Sequence, residues 1–68
     1  MEQNIRLNWP KLVQEAVKRR KEQKLTQLQV SVLVGVSKPT VSGFEQGKTN
    51  ITLENAMKIL RLLGLVTT

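Results

Sequence analysis

The sequence predicts an all-α domain with four helices and room for a fifth, and three observations lead to this prediction. Apolar residues recur at three- and four-residue spacing in the first and last parts of the chain. Ser, Thr or Asn stands before each expected helix, where its side-chain oxygen can accept from a free backbone N–H. Glycine, which suits the left-handed conformation at a helix end, follows the last three helices.

The first helix is expected to begin after Asn8 as its N-cap and to end near Gln23. Trp9 and Pro10 fall in its opening turn, where the missing proline N–H costs nothing. Its apolar stripe consists of Leu12, Val13, Ala16 and Val17, and Leu25 closes the helix against the core. The basic run at 18–21 points around the helix axis, so we interpret it as a solvated face rather than a targeting signal.

Two short helices follow. Thr26 is expected to cap a second helix over residues 27–34, which stops at Gly35. Ser37 is expected to cap a third helix that Gly47 ends. The residues of the third helix expected to face inward are Val41 and Phe44.

Thr52 is expected to cap a fourth helix that runs through Leu63, with Gly64 just beyond its end. Its inward face is predicted to consist of Leu53, Ala56, Met57, Ile59, Leu60 and Leu63. The tail after Gly64 is β-prone, which allows a short C-terminal strand. We therefore predict an N-terminal arm over 1–8 and a single domain over 9–68.

Composition limits the function. A formal charge of +6 and a pI near 10.4 make nucleic acid the leading partner, although excess lysine can also serve solubility alone. The absence of Cys and His removes thiolate chemistry, the usual proton shuttle and the commonest metal ligands. We therefore expect no enzyme, cofactor or metal site. The chain also lacks a signal-peptide pattern and an apolar run of membrane-spanning length, so we expect a cytoplasmic protein without membrane contact.

The motifs of the two central helices are similar to those of one family. They are Thr26-Gln27, Gly35-Val36-Ser37, Thr40-Val41-Ser42, Phe44-Glu45 and Gly47-Lys48. This pattern resembles the Cro and phage-repressor type of helix-turn-helix, the Xre family, over about residues 12–65. The segments Asn50-Ile51-Thr52-Leu53, Lys58-Ile59-Leu60 and Leu63-Gly64-Leu65 look most like HipB-type antitoxins.

The resemblance implies a repressor-like helix-turn-helix that binds double-stranded DNA sequence-specifically and regulates transcription, as a repressor or an antitoxin-type autoregulator. The third helix, about 38–46, would lie in the major groove. Its outward residues would meet base edges, whereas Gln27 and the residues of the following loop would meet the DNA backbone. The expected DNA contacts are Gln27, Ser37, Lys38, Pro39, Thr40, Ser42, Gly43, Lys48, Thr49 and Asn50.

Gly43 has two interpretations. A glycine inside a helix costs about 1 kcal/mol relative to alanine, so Gly43 suggests either a close approach to DNA or a neutral weakness. The resemblance also implies an ion pair between Arg20 of the first helix and Glu45 of the third. Ser31 stands where the family usually has alanine, and its hydroxyl is expected to bond to the carbonyl four residues earlier.

The second helix carries an unusual apolar face formed by Leu28, Val32 and Leu33, where related proteins are generally polar. Either the segment Ile5-Arg6-Leu7 covers it, or it binds a partner. The alternative function is therefore a protein-interaction module that binds a toxin or another regulator subunit. An RNA-binding module is less favoured because both aromatic residues, Trp9 and Phe44, are expected in the core.

Family resemblance implies that the working unit is a homodimer, because one short helix reads only a few base pairs. The expected dimer interface consists of Leu62, Leu65 and Val66, which remain after the fourth helix has filled the core. HipB-type relatives pair a strand at this position, but only four residues follow Gly64 here. Helix packing through Leu62 is the alternative.

Overall fold

The computed structural model describes residues 8–66, and it confirms the predicted all-α fold with four helices. The helices are α1 (Trp9–Glu22), α2 (Gln27–Val34), α3 (Lys38–Glu45) and α4 (Leu53–Leu62). Within residues 8–66 there is no strand. Residues 1–7 of the predicted arm lie outside the described part, as do the last two residues, which a C-terminal strand would include. No helix among the described residues is both long and apolar enough to cross a membrane.

The four predicted N-caps fix where the helices begin. The Oδ1 atom of Asn8 accepts from the backbone N–H of Lys11 at 3.1 Å, and Thr26, Ser37 and Thr52 make the corresponding bonds for α2, α3 and α4. Gln29 makes the reciprocal bond, since its side-chain Oε1 accepts from the backbone N–H of Thr26 at 2.8 Å. Each such cap stabilises its helix by about 1 kcal/mol, which matters for helices as short as α2 and α3.

One hydrophobic core joins the four helices. It consists of Val13, Ala16, Val30, Val41, Phe44, Ile59, Leu60 and Leu63. Trp9 packs at its edge with its ring 5.5 Å from that of Phe44 in an edge-to-face arrangement. The core therefore fixes α3 from the side opposite to its polar face.

Two details of the packing differ from the prediction. Leu53 was expected to face inward, but its side chain is 76% exposed. Leu53 lies in the first turn of α4, whereas Ile51 of the preceding loop packs against the core. The buried Ser31 hydroxyl donates to the carbonyl of Leu28, three residues earlier rather than four, at 2.7 Å.

Candidate nucleic-acid interface

The turn between α2 and α3 sets the direction of the third helix. Gly35 adopts a left-handed conformation with φ +77°, which glycine reaches without strain. The backbone N–H groups of Gly35 and Val36 both donate to the carbonyl of Ser31, at 2.9 and 3.1 Å. Val36 packs against the core, and Ser37 caps α3 directly afterwards. Backbone bonds and an apolar anchor therefore hold α3 at a fixed angle to α2.

The two sides of α3 differ in burial. Val41 and Phe44 are almost completely buried, whereas Lys38 and Pro39 are exposed. The remaining predicted base contacts and Thr40 are partly exposed. Because the buried side holds α3 against the core, the polar side is free to meet a ligand.

A surface concavity of about 230 Å³ lies between α3 and the loop that follows it. Its lining residues are Pro39, Thr40, Gly43, Lys48, Asn50 and Ile51, none of which is acidic. Five of these six are residues for which the sequence predicts DNA contacts. The lining combines a cation, a hydroxyl and an amide, which are donors suited to phosphate oxygens, with small or apolar groups that suit base edges.

Hydrogen bonds join the loop over residues 47–50 to α1 and α3, including one from the backbone N–H of Gly47 to the carbonyl of Phe44 at 3.0 Å. The backbone N–H of Lys48 donates to the carbonyl of Gly43 at 3.0 Å, and the indole N–H of Trp9 donates to the carbonyl of Gly47 at 3.1 Å. A Cβ atom added at Gly43 would meet only the side-chain Cδ of Lys48, at 3.6 Å. The fold itself therefore leaves room for a methyl group at this position.

Arg20 and Glu45 form a bidentate ion pair between α1 and α3. The Nε atom of Arg20 lies 2.5 Å from Oε2 of Glu45, and Nη2 donates to Oε1 at 3.0 Å. The side chains are only 13% and 11% exposed. Arg20 also donates to the carbonyl of Leu25 at 2.8 Å, so the pair connects α3 with the turn that leads into α2.

Gln27 takes part in the same network. Its amide Nε2 donates to Oε1 of Glu45 at 2.9 Å, and its side chain is partly buried. The family resemblance implies a phosphate contact for Gln27, but the sequence gives no sign of this bond to Glu45, because the two residues are 18 positions apart. Arg20 and Gln27 together therefore supply hydrogen-bond donors to both carboxylate oxygens of Glu45.

Sequence reasoning missed Gln46 and Ile51. The amide of Gln46 donates to the Ser42 hydroxyl at 3.0 Å, and this spacing of four residues along one helix was the available signal. The Ser42 hydroxyl therefore already has a polar partner within the protein. Ile51 could have been found from its position directly after Asn50, since it lines the same concavity.

The apolar face of α2 lies apart from this concavity. Leu28, Val32 and Leu33 are 56%, 73% and 61% exposed. Together with Leu25 and Gln29 they line a shallow apolar depression of about 330 Å³. The segment Ile5-Arg6-Leu7, which the sequence offered as a cover, lies outside the described residues.

The C-terminal residues predicted for the dimer interface take part in packing around the core. Leu62, Leu65 and Val66 are partly buried and pack against it. The tail turns back because Gly64 has φ +78° and Leu65 donates to the carbonyl of Leu60 at 2.9 Å. The expectation of an uncovered apolar cluster here is therefore wrong for the single chain. Among residues 8–66, the large exposed apolar side chains lie on α2 and at Leu53.

Comparison with known proteins agrees with this geometry. A family model described as Helix-turn-helix matches residues 18–68. A protein of Haemophilus influenzae described as an uncharacterized HTH-type transcriptional regulator is 35% identical over 63 residues, which are 93% of this chain and 61% of that protein. The chain thus spans less than two thirds of that relative. With the family model covering α2, the turn, α3 and α4, the chain belongs to the helix-turn-helix family.

Proposed function

We propose that this chain binds double-stranded DNA in a sequence-specific way and acts as a transcriptional regulator, with α3 in the major groove. The observation that carries this proposal is the non-acidic concavity, which gathers Pro39, Thr40, Gly43, Lys48 and Asn50 beside the exposed Lys38. Membership of the helix-turn-helix family and the likeness to an HTH-type transcriptional regulator support it. Proteins of this family are generally not enzymes.

Within this proposal the residues divide into two groups. Lys38, Pro39, Ser42 and Gly43 meet base edges: Lys38 donates to guanine, Ser42 reads either base type, and Pro39 contacts a thymine methyl group. The residues that meet the DNA backbone are Gln27, Thr40, Lys48, Thr49 and Asn50, with Ser37 at the entry of α3. The net charge of +6 adds a long-range attraction that depends on ionic strength.

Selection of bound sequences from a pool of random duplexes tests this function. The proposal predicts enrichment of a defined motif, together with a specific affinity at least about a thousandfold above that for unselected duplexes. Enrichment of no motif would contradict it, even if the basic protein retains all duplexes weakly.

We further propose that the regulator is a homodimer acting as a repressor or as an antitoxin-type autoregulator of the HipB kind. The supporting argument is the short α3, since eight residues cannot read a long operator alone. Sedimentation of the chain with and without residues 65–68, free and on the selected duplex, tests the C-terminal interface. Circular dichroism of the shortened chain is the control for folding, because Leu65 and Val66 pack against the core. A monomer in every case, with only one half-site enriched by selection, would exclude the dimer.

A second candidate function is protein interaction through the apolar face of α2. The favouring observation is the exposure of Leu28, Val32 and Leu33 around a depression that lacks charge. The exposed Lys24 directly precedes Leu25 in the lining. We infer that the occupant is an amphipathic helix, such as a segment of a toxin, whose apolar face is flanked by acidic residues.

A random peptide library displayed against the immobilised chain tests this second function. Enriched peptides should carry apolar residues at helical spacing with Asp or Glu beside them, and Val32→Lys should abolish their binding while duplex affinity stays unchanged. Enrichment that ignores Val32→Lys, or no enrichment, would remove this candidate.

A further inference from the structure

The bond between Gln27 and Glu45 has a consequence for DNA binding. We propose that Glu45 is a positioning residue: its carboxylate holds one N–H of the Gln27 amide, so that the second N–H stands ready to donate to a DNA phosphate. This inference rests on the proposed function. It assigns to the Arg20–Glu45 pair a role in recognition beyond its role in joining α1 to α3.

The chemistry of Glu45 fixes the orientation of the amide. An ionised carboxylate can only accept, so only the amino side of the Gln27 amide can face it, at 2.9 Å. Arg20 donates to both oxygens of Glu45, so both oxygens act as acceptors in this network. Among residues 8–66 the hydrogen bonds give the second N–H of Gln27 no partner. The Gln27 amide therefore cannot flip to exchange its amino group with its carbonyl oxygen. Its second N–H stays available as a donor, and a phosphate oxygen requires a donor.

The network also restrains the Gln27 side chain before DNA arrives. A free glutamine side chain loses rotamer freedom when it is fixed on a phosphate, and that loss weakens binding. Here the loss occurs on folding, because Gln27 is partly buried against Glu45. At the same time Arg20 offsets the negative charge that Glu45 would otherwise place near the phosphate.

The ion pair fixes the position of the amide as well as its direction. Arg20 donates to the carbonyl of Leu25, two residues before Gln27, and Glu45 is the last residue of α3. The start of α2 and the end of α3 are therefore held by one set of bonds. A phosphate contact at Gln27 fixes the register of α3 in the groove more closely than a mobile side chain could.

A double-mutant cycle on the selected duplex tests this inference. The background variant replaces Arg20 and Glu45 by methionine together, because exchange of a buried ion pair for apolar residues generally preserves folding. In the native background Gln27→Ala should weaken duplex affinity about fivefold, which is the effect of one ordinary hydrogen bond. In the Met–Met background the same substitution should cost about twofold or less. Lys48→Ala, which removes an unconnected contact, should cost the same in both.

The outcomes separate the two proposals. An equal loss from Gln27→Ala in both backgrounds, or no loss in the native one, overturns the positioning role while specific binding by the native chain stands. Failure of the native chain to select any duplex removes the proposed function itself, and the inference with it.

NMR of the native free chain gives a second test that does not depend on the folding of a variant. The side-chain amide of Gln27 should be markedly more ordered than that of the exposed Gln14 on α1. Equal mobility of the two amides would overturn the inference.

Discussion

Substitution of Gly43 by alanine should change the stability of the free protein and its affinity for DNA in opposite directions. Gly43 lies inside α3, where alanine is preferred over glycine by about 0.5–1 kcal/mol. The new methyl group meets nothing closer than the flexible Lys48 side chain, at 3.6 Å. Gly43→Ala should therefore stabilise the free protein and raise Tm by roughly 2–8 °C. In the complex the methyl group would separate α3 from the bases and weaken affinity by about tenfold, because overpacking a close contact costs about 1–3 kcal/mol.

Thermal unfolding by circular dichroism and duplex titration by fluorescence anisotropy measure these two effects. Gly35→Ala is the control: its Cβ would also meet nothing within 4 Å, but its φ of +77° makes alanine unfavourable by about 1–2 kcal/mol. It should lower Tm where Gly43→Ala raises it. A Gly43→Ala variant that is more stable and binds duplex as well as the native chain would show that the glycine is a neutral weakness and refute the close approach.

Three further predictions concern the interface and the scaffold. Arg20→Ala should lower the free energy of unfolding by about 3 kcal/mol in denaturant titrations, because it leaves the largely buried Glu45 carboxylate without its cation. This loss should exceed that from replacing Arg20 and Glu45 together by methionine, and a larger loss in the joint variant would contradict the prediction. Lys38→Ala should change which bases are selected, whereas Gln27→Ala should weaken all sites alike; uniform losses from both would make Lys38 a backbone contact and move specificity to DNA shape. Lys48→Ala should reduce the slope of log affinity against log salt by about one, and an unchanged slope would mean that Lys48 touches no phosphate.

The local structure of this chain could be predicted closely from its sequence. Helix starts follow from single residues such as Thr26 and Ser37, whose side chains bond to the backbone three positions away. The left-handed turn at Gly35 depends on one residue type as well. These features need only local chemistry, which the sequence order contains.

Features that depend on distant contacts were predicted less well. Leu53 has the right spacing for the buried stripe of α4, yet it is exposed, whereas Ile51 of the preceding loop packs against the core. Leu65 and Val66 seemed superfluous when residues were assigned to helices one by one, but the turn at Gly64 brings both back onto the core. The Gln27–Glu45 bond likewise depends on how α2 and α3 pack, which periodicity does not specify.

Chemical-shift mapping of the chain on its selected duplex tests the central claim most directly. If α3 enters the major groove, the largest backbone shifts should fall on residues 38–43 and 48–50, and Pro39 should show intermolecular contacts to a thymine methyl group. The indole signal of Trp9, the single tryptophan, should also move because it is bonded beside Lys48. Shifts concentrated on Leu28, Val32 and Leu33, with α3 unaffected, would contradict the account and place the binding surface on α2.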